Sequence, residues 1–256
     1  CTVDRAQAGS CSLSVPTLAS TMAHNAPATL SVVIPVHNES AFVAGALEEL
    51  FNEIADVPAS ITVLVAENGS TDDTADQIRR LMPIYPSLAL LELPTPDYGA
   101  AMREGFLATD GEWVVTFDID YFSADFLRSV LDVGPDVDLV LASKRAEGAD
   151  DRRSPIRRFA TFTFNQILRF VLSSGVSDTH GMKAIRRRVV DEIARDVIST
   201  QDLFDTELVV RAERANFQIV EVPALVEEKR EAKTSLVTRV PRTLRGVWRI
   251  RSSLDT

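Results

Sequence analysis

The sequence predicts an α/β protein with a mostly parallel central sheet and helices on both faces. Three observations carry that expectation. Short apolar, β-branched runs alternate with amphipathic runs of helical period through the first half of the chain. The run from Trp113 to Asp120, WVVTFDID, is apolar enough to be covered on both faces, yet it ends in two carboxylates. Polar segments follow the apolar runs, two of them with glycine at Gly69 and Gly99, and in an open parallel sheet those segments gather on one edge, where ligands bind.

Taken in order, Leu30–Val36 reads as a strand stopped by Pro35, with Asn38, Glu39 and Ser40 capping a helix whose apolar positions are Phe42, Val43, Ala46, Leu47, Leu50, Phe51 and Ile54. Ile61–Ala66 is a second buried strand, followed by a polar turn, Glu67–Thr71, and a helix through Ile78 and Leu81. Leu88–Leu93 makes a third strand, and a helix around Ala100–Ala108 leads into WVVTFDID. This order demands right-handed crossovers. The resulting edge collects His37, Asn38, Glu39, Glu67, Asn68, Gly69, Asp97, Gly99, Asp118 and Asp120. Beyond it, Asp138–Ser143, Gly181–Arg186 and Gln218–Val222 read as strands, and Pro155–Leu172 and Leu203–Arg214 as helices.

Composition narrows the function classes. The chain has 256 residues, 45 % hydrophobic and 25 % charged, which suits one substantial core. A net charge of −10 argues against general nucleic-acid binding, whose footprint is a basic face. Charge is uneven, because Lys229 to Arg251 holds eight Lys or Arg against the single acid Glu231. Cys1 and Cys11 have no partners at metal-site spacing, which fits a reducing cytoplasm. No run approaches the ~18 to 20 apolar residues of a membrane span. Residues 1–28, rich in Ser, Thr and Ala, read as a disordered leader, with Met22 a candidate natural start.

Asp118 and Asp120 are two apart and project the same way if the chain is still extended. Like charges so close need neutralising, and a divalent cation holding a diphosphate would do it. The competing reading makes one Asp a helix cap and leaves the other solvated.

Six segments then combine: SVVIPVHNE (Ser31–Glu39), VAENGSTDDT (Val65–Thr74), YGAAMREGF (Tyr98–Phe106), FDID (Phe117–Asp120), DTHGMKAIRR (Asp178–Arg187), and FDTELVVRA (Phe204–Ala212) followed by IVEVP. In this order they resemble the family 2 glycosyltransferases of GT-A fold, and within them the dolichol-phosphate mannose synthase or polyprenyl-phosphate glycosyltransferase branch. The resemblance implies an inverting transferase that moves a hexose from a GDP- or UDP-hexose to a polyprenyl phosphate, with Mg2+ or Mn2+, peripheral on the cytoplasmic face of an anionic membrane. It divides the chain into the leader, a GT-A domain over 29–236 and a basic amphipathic tail over 237–256.

It also implies roles. Pro35, Asn38, Glu39, Glu67, Gly69, Ser70, Gly99, Asp118 and Lys233 match donor-binding positions, and Asp118 with Asp120 matches the D-x-D metal motif. Asp178, His180, Gly181 and Lys183 match an acceptor-side motif, while Asp120, Asp205, Lys229 and Arg230 match catalytic positions. Three departures stand out: Glu67–Asn68 replaces a usual Asp pair, Tyr121 and Phe122 follow the D-x-D where a Gln ligand is frequent, and Ala232 replaces a Gly.

Alternatives stay open from sequence. With a soluble hydroxyl acceptor, Asp202 or Asp205 would be the general base, whereas a phosphate acceptor is already ionised and needs none. A silent nucleotide-sugar binder also fits. A phospho-acceptor receiver domain would end after ~120 residues, well short of this chain. The phenylalanine-rich helix with Arg157, Arg158 and Arg169, and the tail Val240–Leu254 with Trp248, read either as interfacial helices or as core-packing helices with a solvated Arg face.

Overall fold

The computed structural model describes residues 27–143, 150, 151, 166, 171, 172, 174, 175, 179, 181–200, 203–223, 225, 226 and 236–254. The leader before residue 27, the body of the Pro155–Leu172 helix, and Asp178, His180, Asp202, Lys229, Arg230 and Lys233 lie outside them.

The first half alternates as its apolar runs require: β1 (Thr29–Val36), α1 (Val43–Ile54), β2 (Ser60–Asn68), α2 (Thr74–Leu81), β3 (Leu88–Leu93), α3 (Tyr98–Leu107), β4 (Trp113–Thr116) and α4 (Ala124–Asp132). There follow β5 (Leu139–Ser143), β6 (Asp150–Asp151), β7 (Lys183–Arg186), α5 (Arg187–Ile193), a 3-10 turn at Ala194–Asp196, α6 (Phe204–Arg214), β8 (Ile219–Pro223), β9 (Leu225–Val226) and α7 (Leu236–Leu254). Seven strands form one sheet in the order β3-β2-β1-β4-β7-β5-β8, and β6 pairs with β9 separately. All neighbours in the main sheet are parallel except β7, which runs antiparallel to both β4 and β5.

Two apolar layers cover the sheet. Leu30, Val32, Ile34 and Val36 of β1 and Trp113 and Val115 of β4 pack with α1, Ile78 of α2 and α4 on one face. Val33, Val114, Leu141 and Ile185 face the other way, onto α3, α5 and α6. Strand alternation thus sends neighbouring residues into different cores. On the second face α3 lies close, since a Cβ on Gly105 would come within 2.7 Å of Val33 Cγ1.

Several elements differ from the sequence reading. Asn38, Glu39 and Ser40 place no side-chain cap on α1, whose first turn is closed by Phe42 and Val43 N–H groups donating to the Glu39 carbonyl. Glu67 and Asn68 belong to β2, because the backbone there is paired with β3 on one side and, at Glu67, with β1 on the other. Helix α4 was not expected, although Ser123 caps it by accepting from Phe126 N and Phe126, Leu127 and Val130 give it a buried stripe. The tail is a helix, and part of it docks: Val247 and Ile250 of α7 are buried against Leu172, Leu203 and Val210. A Cβ on Gly246 would meet Leu203 Cδ1 at 2.1 Å, so α7 lies tightly against the Leu203 side chain here.

Candidate active site

The chain goes one way from β1 to β2 and β3 and then places β4 on the other side of β1. This reversal leaves a crevice beyond the carboxyl ends of β1 and β4, the usual ligand position in an open α/β sheet. Four segments rim that edge: the turn after β1, the end of β2, the start of α3 and the turn after β4. Because β7 is antiparallel, its first residue, Lys183, also lies there, opposite Thr116 at the end of β4.

The β1 and β2 turns are zipped together. His37 Nδ1 donates to the Asn68 carbonyl at 2.8 Å, and Asn38 Nδ2 donates to His37 Nε2 at 3.1 Å. Asn38 adopts φ 53°, and from there its N–H donates to Ser70 Oγ while its Oδ1 accepts from Thr71 N. Glu39 N donates to Thr74 Oγ1, and Ser40 N to Asp72 Oδ2. Asp72 also takes the hydroxyl and N–H of Thr74, and the Thr74 hydroxyl above all holds its carboxyl well below the usual range. Asn38 and Ser70, expected to contact the donor, therefore have structural bonds to each other's turn. Glu67 is buried, and its Oε1 accepts from Ser70 N within its own turn.

Gly69 has φ +63°, and a Cβ there would stand 2.8 Å from the Thr95 carbonyl carbon. Its smallness thus admits the loop before α3. Asn68 fixes the same loop by accepting from Asp97 N at 2.6 Å. Asp97 then caps α3 by accepting from Ala100 N, with Gly99 buried in the first turn. Pro35 sits half-buried in β1, level with Ala66 of β2.

Beyond β4 the chain does not stay extended. Asp118 and Tyr121 exchange backbone hydrogen bonds of 3.2 and 3.0 Å across a tight turn, so the chain is not extended over Asp118–Asp120, the condition under which the sequence has them project the same way. Burial alternates instead: Phe117 and Ile119 enter the core, Asp118 is exposed and Asp120 half-buried. The apolar pair pins the turn and keeps both carboxylates on the rim. Among the described residues no three His, Cys, Asp or Glu side chains gather as a metal cluster. Two rim carboxylates suit a hard cation that draws its remaining ligands from diphosphate and water.

The acceptor side differs most from expectation. Lys183 is 1 % exposed, and its ammonium donates to the Gly181 carbonyl at 2.8 Å and lies 3.0 Å from Asp205 Oδ1. That last contact is one of charge, since its angle does not make a directed hydrogen bond. Asp205 Oδ2 accepts from the Tyr98 hydroxyl at 2.9 Å. Lys183 is thus held by protein partners, and Asp205 by a cation and a hydroxyl. Gly181, at φ +134°, shapes the turn into β7. Thr206 and Glu207 follow Asp205 inside: Thr206 meets the Thr179 hydroxyl at 3.0 Å, and Glu207 takes the N–H groups of Ile198 and Ser199 and the guanidinium of Arg211. Tyr98, Thr206 and Glu207 were missed as site residues, although FDTE, three polar residues at an apolar helix start, was the signal for the last two.

The family model for glycosyl transferase family 2 matches residues 31–194, which hold the crevice and both of its carboxylate turns. The chain belongs to glycosyl transferase family 2. This glycosyltransferase is 26 % identical over 254 residues to a dolichyl-phosphate beta-glucosyltransferase, ALG5C, of Trichomonas vaginalis, covering 88 % of this chain and 74 % of that one. It is 27 % identical to the glycosyltransferase AglD of Haloferax volcanii, covering 86 % of this chain but only 37 % of that longer protein. Among solved structures, glucosyl-3-phosphoglycerate synthase of Mycobacterium tuberculosis, bound to Mn2+, UDP-glucose and phosphoglyceric acid, superposes with TM-score 0.63 at 20 % identity, covering 88 % of this chain and 79 % of that one. The mannosyltransferase PcManGT of Pyrobaculum calidifontis, bound to GDP-mannose and Mn2+, gives TM-score 0.61 at 19 % identity, covering 87 % and 63 %. The fold is GT-A.

Proposed function

We propose that this glycosyltransferase moves a hexose from GDP- or UDP-hexose to a polyprenyl phosphate at an anionic membrane surface. The observation that carries the choice of acceptor is the state of Asp205. A hydroxyl nucleophile needs a base, and the sequence-level candidate inside α6 is buried and held between Lys183 and Tyr98. A phosphate monoester arrives ionised and can attack the anomeric carbon without one. The name of the Trichomonas relative supports the same acceptor class.

The remaining roles follow from position. Glu39 follows β1 and Glu67 ends β2, where a carboxylate acceptor would suit a base or ribose. Asp118 and Asp120 would hold the divalent ion, which when bound neutralises charge on the leaving diphosphate. Lys229, Arg230 and Lys233 carry the cations that would balance a second phosphate beside the first. Attack from the face opposite the leaving group inverts the anomeric centre. No described helix is long and apolar enough to cross a membrane, and membrane contact in this reading is peripheral, through the basic C-terminal helix.

The test is a transfer assay with UDP- and GDP-hexoses, Mn2+ or Mg2+, and either a polyprenyl phosphate or 3-phosphoglycerate as acceptor. Prenyl-linked product extractable into organic solvent is expected. Product formed only on the hydroxyl acceptor would overturn the proposal and return the base role to Asp202 or Asp205.

A further inference from the structure

The charges buried beneath the site are not explained by donor or acceptor contacts. Lys183 shares its face of the sheet with Ile185, two residues on in β7, and Asp205 lies in α6, which packs on that same second face; both side chains are buried. An ion pair in such surroundings gains little stability over an apolar pair, so stability alone is a weak reason for its presence. What the pair does have is reach. Tyr98 opens α3, next to Asp97 and Gly99, in the loop that Asn68 and Gly69 fix on the donor side. Asp205 and Thr206 begin α6. Lys183 begins β7 and ties back to Gly181, while Thr206 holds Thr179, so two positions of the acceptor-side motif are gripped by one helix turn. Phe106 of α3 packs edge-on against Phe204 of α6 at 5.6 Å and makes the two helices a common backing.

We infer that Tyr98, Asp205 and Lys183 form a positioning relay that sets Thr179, Gly181 and Lys183 in register with the donor loop, Asp205 serving as counter-ion to Lys183. The proposal rests on the acceptor-side reading of those residues. The links act in series. The Tyr98 hydroxyl orients the Asp205 carboxylate, the carboxylate holds the ammonium, and the ammonium holds the Gly181 carbonyl in a turn with positive φ. No bond to substrate is involved, so loss of a link should reduce transfer to acceptor while sparing cleavage of the donor by water.

A charge-swap cycle tests this. Asp205→Asn leaves a buried ammonium unpaired, and it should lower the melting temperature by about 10 °C and cut transfer at least roughly tenfold. Adding Lys183→Met removes the stranded charge, so the double variant should recover most of the melting temperature, yet it cannot hold the Gly181 carbonyl and its transfer should stay at least roughly tenfold below the parent. Lys183→Met alone, which keeps the Asp205 carboxylate, should cut transfer to a similar extent while sparing acceptor-free donor hydrolysis. Transfer at the parent level by a stably folded double variant would overturn the relay. Tyr98→Phe keeps the ring and carries the test where Asp205→Asn does not fold: transfer relative to acceptor-free donor hydrolysis should fall roughly tenfold, the worth of one hydrogen bond to a charged group. An unchanged ratio would overturn the relay as well. Both acceptor classes are assayed throughout, so a parent protein that uses only the hydroxyl acceptor refutes the acceptor assignment, while the relay is read from the same variants on that acceptor.

Discussion

Single residues at the rim carry the sharpest expectations. Asp120→Asn should abolish transfer by removing a charged ligand, and Asp118→Asn should weaken nucleotide binding as well; full transfer by either variant in EDTA would remove the metal from the reaction. For Glu67 the structure separates two contributions. Its Oε1 closes the turn at Ser70, so Glu67→Gln, which keeps an acceptor there, should fold normally and lose only the charge-assisted part of nucleotide affinity, about 1.5 kcal/mol. Equal affinities of the two forms in a titration would make Glu67 a turn residue. Asp72 gives a pH expectation. Its carboxyl is depressed by the Thr74 hydroxyl and by Ser40, so its stapling of the two turns is fully present above the unfolded value near 4 and is lost only as pH falls towards the lower folded value. Nucleotide affinity should therefore be indifferent to Asp72 between pH 5 and 8, whereas Thr74→Val should bring acid loosening closer to pH 4. A binding profile identical in the two proteins down to pH 3 would refute the staple. The rim was legible in sequence because charge and glycine after an apolar run have few other uses. The protein partners of Asn38, Lys183 and Asp205 were not, since a sequence does not say whether a polar side chain meets solvent or another element far along the chain.

Elements were legible where their periodicity was local. Strands β1 to β4 have near-continuous apolar runs, and α1, α3 and α6 bury the faces that their spacing marks. The turn after β4 escaped, because Asp118-x-Asp120 extrapolated as a strand depends on pairing partners that end at Thr116. Helix α7 shows the same limit at larger size. Its arginines suggested a surface segment, yet Val247 and Ile250 are fully covered and Arg251 donates to the Val171 carbonyl at 2.7 Å. Arg214 and Arg211 reach back to the Leu254 carbonyl and Ser253. Ile250→Ala should then cost about 2 to 4 kcal/mol in chemical denaturation, the range for a buried large-to-small change. A cost below 0.5 kcal/mol would mean that α7 is only loosely applied. Removal of Val240–Thr256 should impair transfer to every acceptor, because it uncovers Leu203, directly before α6.

At the scale of the molecule, the acidic body and the basic end pose an electrostatic problem. With net charge −10, the protein as a whole is repelled by an anionic bilayer, so any attraction must come from a local face. The outward side of α7 offers one: Trp248 is 63 % exposed, flanked by exposed Arg245 and Arg249, opposite the docked Val247 and Ile250. Indole suits the level of lipid headgroups, and each arginine near the surface is worth up to about 1 kcal/mol. Docking by the inner side fixes that face relative to the crevice, which a detached tail could not do. Replacing Arg245 and Arg249 by Glu should lower co-sedimentation with phosphatidylserine-containing vesicles roughly tenfold or more at low salt and leave the melting temperature and acceptor-free donor hydrolysis unchanged. Raising ionic strength should erase the difference between parent and variant as the Debye length shortens below about 8 Å. Trp248→Ala should reduce the part of the binding that survives high salt. Parent protein that sediments equally with neutral and anionic vesicles would sink the electrostatic proposal, and a polyprenyl phosphate would then have to reach the crevice by another face.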